Sequence, residues 1–152
     1  MKMSSRLLPV LLFIHLFTGC KGKDEKNFLA ERVVGDYKFK INRIPSEESD
    51  LQQYVLKISR ADEQIDLLNN KDLTDKELQQ LLYYFSYTFQ KDIYLETENG
   101  LNPCVLYHFE RSYDLKGSRN FILGFTEPND NEPKKIVIDS PVFNSGPVKI
   151  RI

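Results

Sequence analysis

The chain has 152 residues with a formal net charge of −1, 41% hydrophobic and 28% charged. That is enough chain for one domain with a true core and too ordinary a balance for wholesale disorder. The near-neutral charge leaves no basic surplus for a nucleic-acid backbone. Two Cys and two His exclude a disulfide-rich scaffold and a four-cysteine zinc site.

The first twenty residues do not read as part of a fold. Lys2 and Arg6 stand in a short stretch without acids, and an apolar run of eleven, Leu7–Phe17, follows. Phe17-Thr18-Gly19-Cys20 closes it, and Lys21 restores polarity. This is the layout of a secretory signal peptide. The run is too short to span a hydrocarbon core, which takes about 20 apolar residues.

Ending in Thr-Gly-Cys directly after the apolar run, the segment resembles the precursor of a bacterial lipoprotein. Phe17 stands where that family usually carries Leu. The resemblance implies removal of 1–19 and acylation of the Cys20 thiol, which anchors the chain to a membrane. One acyl chain binds only reversibly, at about 0.8 kcal/mol per buried methylene; the two or three chains of bacterial lipoproteins hold durably. Lys23-Asp24-Glu25 is similar to the signal that sends lipoproteins of Bacteroidota to the outer face of the outer membrane. The implied location is the cell surface, with a periplasm-facing anchor as the alternative. Residues 20–27 form a lipidated start and a polar tether. The seven residues Cys20–Lys26 reach about 25 Å at about 3.5 Å each, which keeps the body close to the membrane. Processing removes two of the 21 basic residues and none of the 22 acidic ones, so the mature net charge is −3. His15 is lost and Cys20 is consumed, which leaves Cys104 without a disulfide partner and His108 as the sole histidine.

Residues 28–152 are expected to form one domain. Tyr37, Phe39 and Ile41 alternate with Lys38, Lys40 and Asn42, which predicts a strand with one wet face. Pro45 and the acidic 46–50 stretch break it. Tyr54, Leu56 and Ile58 alternate again, Arg60–Glu63 reads as a polar turn, and Gln64–Leu68 as a short strand or the approach to a helix. Thr74-Asp75-Lys76-Glu77 fits a capping box. Leu78, Leu81, Leu82, Phe85 and Phe89 then share one stripe, which predicts an amphipathic helix over about 75–91. Ile93–Thr97 is a strand before the Asn99-Gly100 turn pair, and Pro103 is expected to delay the return to pairing. Cys104–Arg111 is the next strand, Tyr113–Arg119 a loop, Asn120–Thr126 an apolar strand and Glu127–Pro133 a polar loop. Lys135–Asp139 and Val148–Ile152 complete the set. The fold class is α+β: a mainly antiparallel sheet or sandwich-like domain with one helix.

No reaction can be read from these residues. His108 and Glu110 form H-x-E, but the order and the missing second Cys exclude a zinc deaminase. Cys104 and His108 stand about 13 Å apart on an extended strand, both on one face, too far for a nucleophile–base pair. Cys104 therefore reads as a small core residue. Asn129-Asp130-Asn131-Glu132 lacks the spaced acids of a calcium loop. Glu110, Arg111 and Arg119 read as a surface ion-pair set. Neither metal nor cofactor is expected. On the helix, Tyr83, Tyr84 and Tyr87 lie opposite the leucine stripe, with Tyr83 and Tyr87 adjacent at i, i+4. Tyrosine suits interfaces because its large ring orders cheaply and keeps a polar tip. The expected function is a non-catalytic, membrane-anchored binding or assembly module of the cell envelope. Alternatives are a lipoprotein subunit of an envelope secretion machine, or a surface carbohydrate-binding or hydrolase accessory protein.

Overall fold

A computed structural model describes residues 28–45, 50–62, 66–68, 73–111, 117–126 and 133–152. The export signal, Cys20, the tether and the Asn129–Glu132 segment lie outside the described residues, as do residues 46–49, 63–65, 69–72 and 112–116.

Among the described residues, nine strands form two antiparallel sheets. They are β1 (Ala30–Val34), β2 (Tyr37–Ile44), β3 (Leu51–Arg60), β4 (Ile93–Thr97), β5 (Gly100–Pro103), β6 (Leu106–Glu110), β7 (Ser118–Thr126), β8 (Lys135–Ile138) and β9 (Val148–Arg151). The five-stranded sheet runs β1-β2-β3-β7-β6 and the four-stranded sheet β5-β4-β8-β9. Between β4 and β5 sits the turn carrying Asn99, and β1 joins β2 through Gly35-Asp36, with Gly35 at φ 55°. That left-handed backbone is open to glycine without steric cost.

The alternation seen in the sequence puts one face of each sheet inward. Phe39, Ile41, Leu56, Ile58, Phe121, Leu123 and Phe125 come from the larger sheet; Ile93, Leu95, Ile136, Ile138, Val148 and Ile150 come from the smaller. All belong to one cluster, so the sheets face each other as a sandwich. Side chains on the opposite faces are polar or half-exposed, such as Lys38, Lys40 and Lys57 against Lys135 and Lys149. Arg32 donates to the Lys149 carbonyl and ties the β1 edge to β9.

The chain changes sheets between β5 and β6. Cys104 N–H bonds to the Ile93 carbonyl of β4, and Val105 N–H to the Gly124 carbonyl of β7, at 3.2 and 2.8 Å. This corrects the expected Cys104–Arg111 strand, which starts only at Leu106. Cys104 is buried at the corner while His108 is exposed on the outer face of β6, so the two do not share a face. Two further departures concern edges. β1 was not anticipated, and β5 forms despite Pro103, because β5 is an edge strand that needs no donor on its free side. Ser118 and Arg119, expected in a loop, open β7.

The helical run packs on Phe121 of β7, and a polar cluster gathers where β3 begins. There Gln52 Oε1 accepts from the Tyr54 hydroxyl at 2.9 Å and from the buried Lys134 Nζ at 3.3 Å. Among the described residues no buried side-chain polar atom lacks a partner, as a stable interior requires. No helix among them is long and apolar enough to cross a membrane.

Candidate functional site

The helical run begins as the sequence predicts. Thr74 Oγ1 accepts from Glu77 N–H at 3.3 Å, and Glu77 Oε2 accepts from Thr74 N–H at 2.8 Å and from its hydroxyl at 2.7 Å. This reciprocal box satisfies two first-turn donors. The same bonds hold the Glu77 carboxyl below its ordinary pKa. The run ends at Asp92, close to the expected limit, but only α1 (Asp75–Tyr83) is α-helical. Tyr84–Thr88 is a π segment and Phe89–Asp92 a 3-10 turn.

Tertiary contacts explain the widened segment. Phe85 and Phe89 are fully buried, edge to face at 5.2 Å, and both pack on Phe121 of β7. The Tyr107 hydroxyl of β6 donates to the Phe85 carbonyl, and Ser86 donates to the Leu82 carbonyl at 2.6 Å. Arg111 donates to Ser86 Oγ at 2.8 Å, and Gln90 to the Cys104 carbonyl at 2.8 Å. Both of the carbonyls Phe85 and Leu82 thus carry side-chain donors, which is how a locally unwound helix keeps its polar groups satisfied. Widened turns of this kind recur at functional sites.

The three tyrosines part company here. Tyr83 and Tyr87 are 63% and 64% exposed, and their rings lie 5.1 Å apart at 50°. They form one solvent-facing aromatic pair. Tyr84, expected with them, turns inward. Its ring contacts Phe85 and Phe89, and its hydroxyl bonds Asp92 Oδ2 at 2.5 Å and Ser140 Oγ at 2.6 Å. Burial, followed by the Asp92 carboxylate, raises its pKa above the ordinary phenol range. Tyr84 is therefore a clamp between the helical run and the 3-10 turn Pro141–Phe143.

Beside this clamp lies a cleft of about 410 Å³. Helix α1 forms one wall with Glu77, Gln80 and Leu81, and Val142 and Asn144 line it from the turn after β8. Tyr37, Arg60, Asp66 and Leu67 also line it. No sequence signal announced it, because its walls come from segments far apart in the chain. Leu81, expected in the core-facing stripe, is half-buried: it packs against the core and also lines this space.

The other candidates resolve into structural roles. Burial raises the Cys104 thiol to a pKa of about 11, and its Sγ–H donates to the Leu106 carbonyl at 3.0 Å. Such a thiol is neutral and inert at physiological pH. The expected surface set of Glu110, Arg111 and Arg119 is instead three separate contacts. Glu110 accepts from Asn120 at 2.9 Å and Arg111 bonds Ser86. Arg119 makes a two-pronged pair with Asp66, with side chains 11% and 17% exposed. Leu68 N–H bonds Asp66 Oδ1 at 3.0 Å, so residues 66–68 form a turn pinned to β7 rather than a strand. Among the described residues no group of three or more His, Cys, Asp or Glu converges to hold a metal. No family model, no curated protein and no solved structure matches the chain.

Proposed function

We propose that the chain is a lipid-anchored binding or assembly module of the bacterial cell envelope, acylated on Cys20 and carried at the outer-membrane surface. It acts without catalysis and engages an envelope protein through the tyrosine pair of its helix. The export reading rests on the Leu7–Phe17 apolar run ending in Thr18-Gly19-Cys20, and the surface address on Lys23-Asp24-Glu25.

The observation that carries the binding reading is the Tyr83–Tyr87 pair, more than 60% exposed on each ring. Two adjacent exposed aromatics suit the anchor of a protein interface, where Tyr is enriched. They also stand on a pre-organised element. Phe85 and Phe89 pin the segment from below, so docking orders little that is not already ordered.

Crosslinking and pull-down from membranes tests this. The wild-type chain recovers a protein partner, and Tyr83→Ala/Tyr87→Ala loses it while keeping the fold. Undiminished recovery by the double variant refutes the assigned surface. Protease shaving of intact cells tests the address: a domain protected from added protease contradicts display at the surface.

A further inference from the structure

The cleft on the other flank of α1 has no part in the tyrosine surface, and its chemistry is specific enough to name a ligand class. Its volume of about 410 Å³ falls within the range of small-molecule sites, about 300–1,000 Å³. Leu67, Leu81 and Val142 supply apolar wall, and the Tyr37 and Tyr84 rings flank it.

The charged groups at its rim are not equivalent. Asp66 is committed to Arg119 in a pair largely withdrawn from solvent. Glu77 is committed to Thr74 and its own helix start. Arg60 differs. Its guanidinium lies over the Tyr37 ring, 5.4 Å from the centroid, and its ion pair is a 3.5 Å contact with Asp36, whose side chain is 76% exposed. A pair of that kind contributes little and is readily exchanged. Asp66 is thus balanced by Arg119, and Glu77, still anionic, spends its carboxylate on the Thr74 donors at the helix start, while Arg60 is held by a weak, solvated partner. An incoming anion can take the place of the exposed Asp36 on Arg60, and a planar guanidinium favours a carboxylate that it can grip in two places. Gln80 and Asn144 add amide groups to the lining.

We infer that this cleft binds a small organic acid: one carboxylate seated on Arg60, with an apolar body lying against Leu81, Val142 and Tyr84. This assignment is independent of the lipid anchor and of the tyrosine pair.

The test uses 4-phenylbutanoate as probe and its uncharged amide, 4-phenylbutanamide, as control. Both are titrated into isotope-labelled full-length protein in detergent and followed by NMR. The acid is expected to shift the amides of Leu81, Tyr84 and Val142 saturably, with a dissociation constant of about 1 mM. The amide is expected to bind about tenfold or more weakly. Arg60→Gln should cut acid binding to the level of the amide and leave amide binding unchanged, with the remaining spectrum intact as proof of fold. Arg60→Lys, which keeps the charge and loses the fork, should fall between. Absence of saturable shifts at those residues overturns the site. Equal binding of acid and amide, or acid binding that survives Arg60→Gln, overturns the role given to Arg60. Tighter binding of a peptide with a free C-terminal Leu than of 4-phenylbutanoate overturns the small-molecule assignment in favour of a chain terminus.

Discussion

Replacing Phe89 by Ala removes the ring on which the helical run is seated. Phe89 is fully buried. Its ring lies 5.2 Å from Phe85, 5.2 Å from Phe121, 5.7 Å from Tyr84 and 6.1 Å from Phe143. A buried aromatic ring takes about 150–250 Å² out of water, which at about 25 cal/mol per Å² is about 4–6 kcal/mol. Ala keeps part of that, and Phe→Ala in a core costs about 3–5 kcal/mol. The neighbouring rings belong to a helical segment, a strand and a turn, each fixed by its own hydrogen bonds, so the hole cannot collapse. The expected cost is therefore about 4–5 kcal/mol, near the top of that range. Domains of this size are stable by only about 5–15 kcal/mol. Calorimetry or urea unfolding should show a drop in melting temperature of roughly 15–20 °C, at about 4 °C per kcal/mol. Phe89→Leu should recover more than half. A loss below about 1.5 kcal/mol would refute the reasoning, because it would mean the helical run is not docked and cannot hold Tyr83 and Tyr87 in place.

Four further outcomes follow from other parts of the molecule. In Gly124→Ala the new Cβ would meet Leu106 Cβ at 2.8 Å and Leu51 Cδ1 at 3.2 Å; Leu106 Cβ cannot swing away, so urea unfolding should show a loss of about 1–3 kcal/mol where Gly→Ala in an open strand would gain. Asp66→Asn takes the carboxylate from the mostly buried Arg119 and should cost about 1–3 kcal/mol, with the Asp66→Asn/Arg119→Gln double variant costing less than the sum of the two singles in the same assay. The pH dependence should be steeper on the alkaline side. Cys104 is raised from 9.0 to about 11, and Tyr84 and Tyr107 are raised by burial as well. The folded chain binds these protons more tightly than the unfolded one, so stability is full below pH 9 and falls as pH rises through about 11. Glu77 and Glu96 are lowered from 4.5, so their contribution holds above pH 4.5 and fades as pH falls below it, but Glu77 is exposed and the Glu96 pairs are with half-exposed lysines, so that limb is shallow. Thermal scans from pH 3 to 11 read both limbs. Iodoacetamide at pH 8 should leave Cys104 unmodified until denaturant is added.

What the sequence revealed was local, and what it concealed was long-range. β2 and β3 were legible because Phe39, Ile41, Leu56 and Ile58 alternate with polar residues over a sheet that has one dry face, and β7 because Asn120–Thr126 is a short apolar run between polar segments. The start of the helix was legible because Thr74 and Glu77 satisfy each other across three residues. β1 was not, because its three central residues are all exposed and leave no alternation to read. β5 was hidden by Pro103, whose missing donor matters only if both edges of the strand are paired. The turn inward of Tyr84 depends on Ser140, 56 residues away, and on the π segment, which a regular helical wheel does not contain. The pair Tyr83 and Tyr87 was visible as i, i+4 neighbours. The cleft was not, since Tyr37, Arg60, Leu81 and Val142 meet only after β3, α1 and the turn after β8 have packed.

The proposal of an envelope lipoprotein stands on Cys20. Intact-mass and peptide mass spectrometry of the protein recovered from bacterial membranes tests it most directly. The expected product begins at Cys20 and carries the added mass of two or three acyl chains, and Cys20→Ala is neither processed in that way nor retained with the membrane. A mature chain that starts elsewhere, or a Cys20 thiol without lipid, would contradict the proposal.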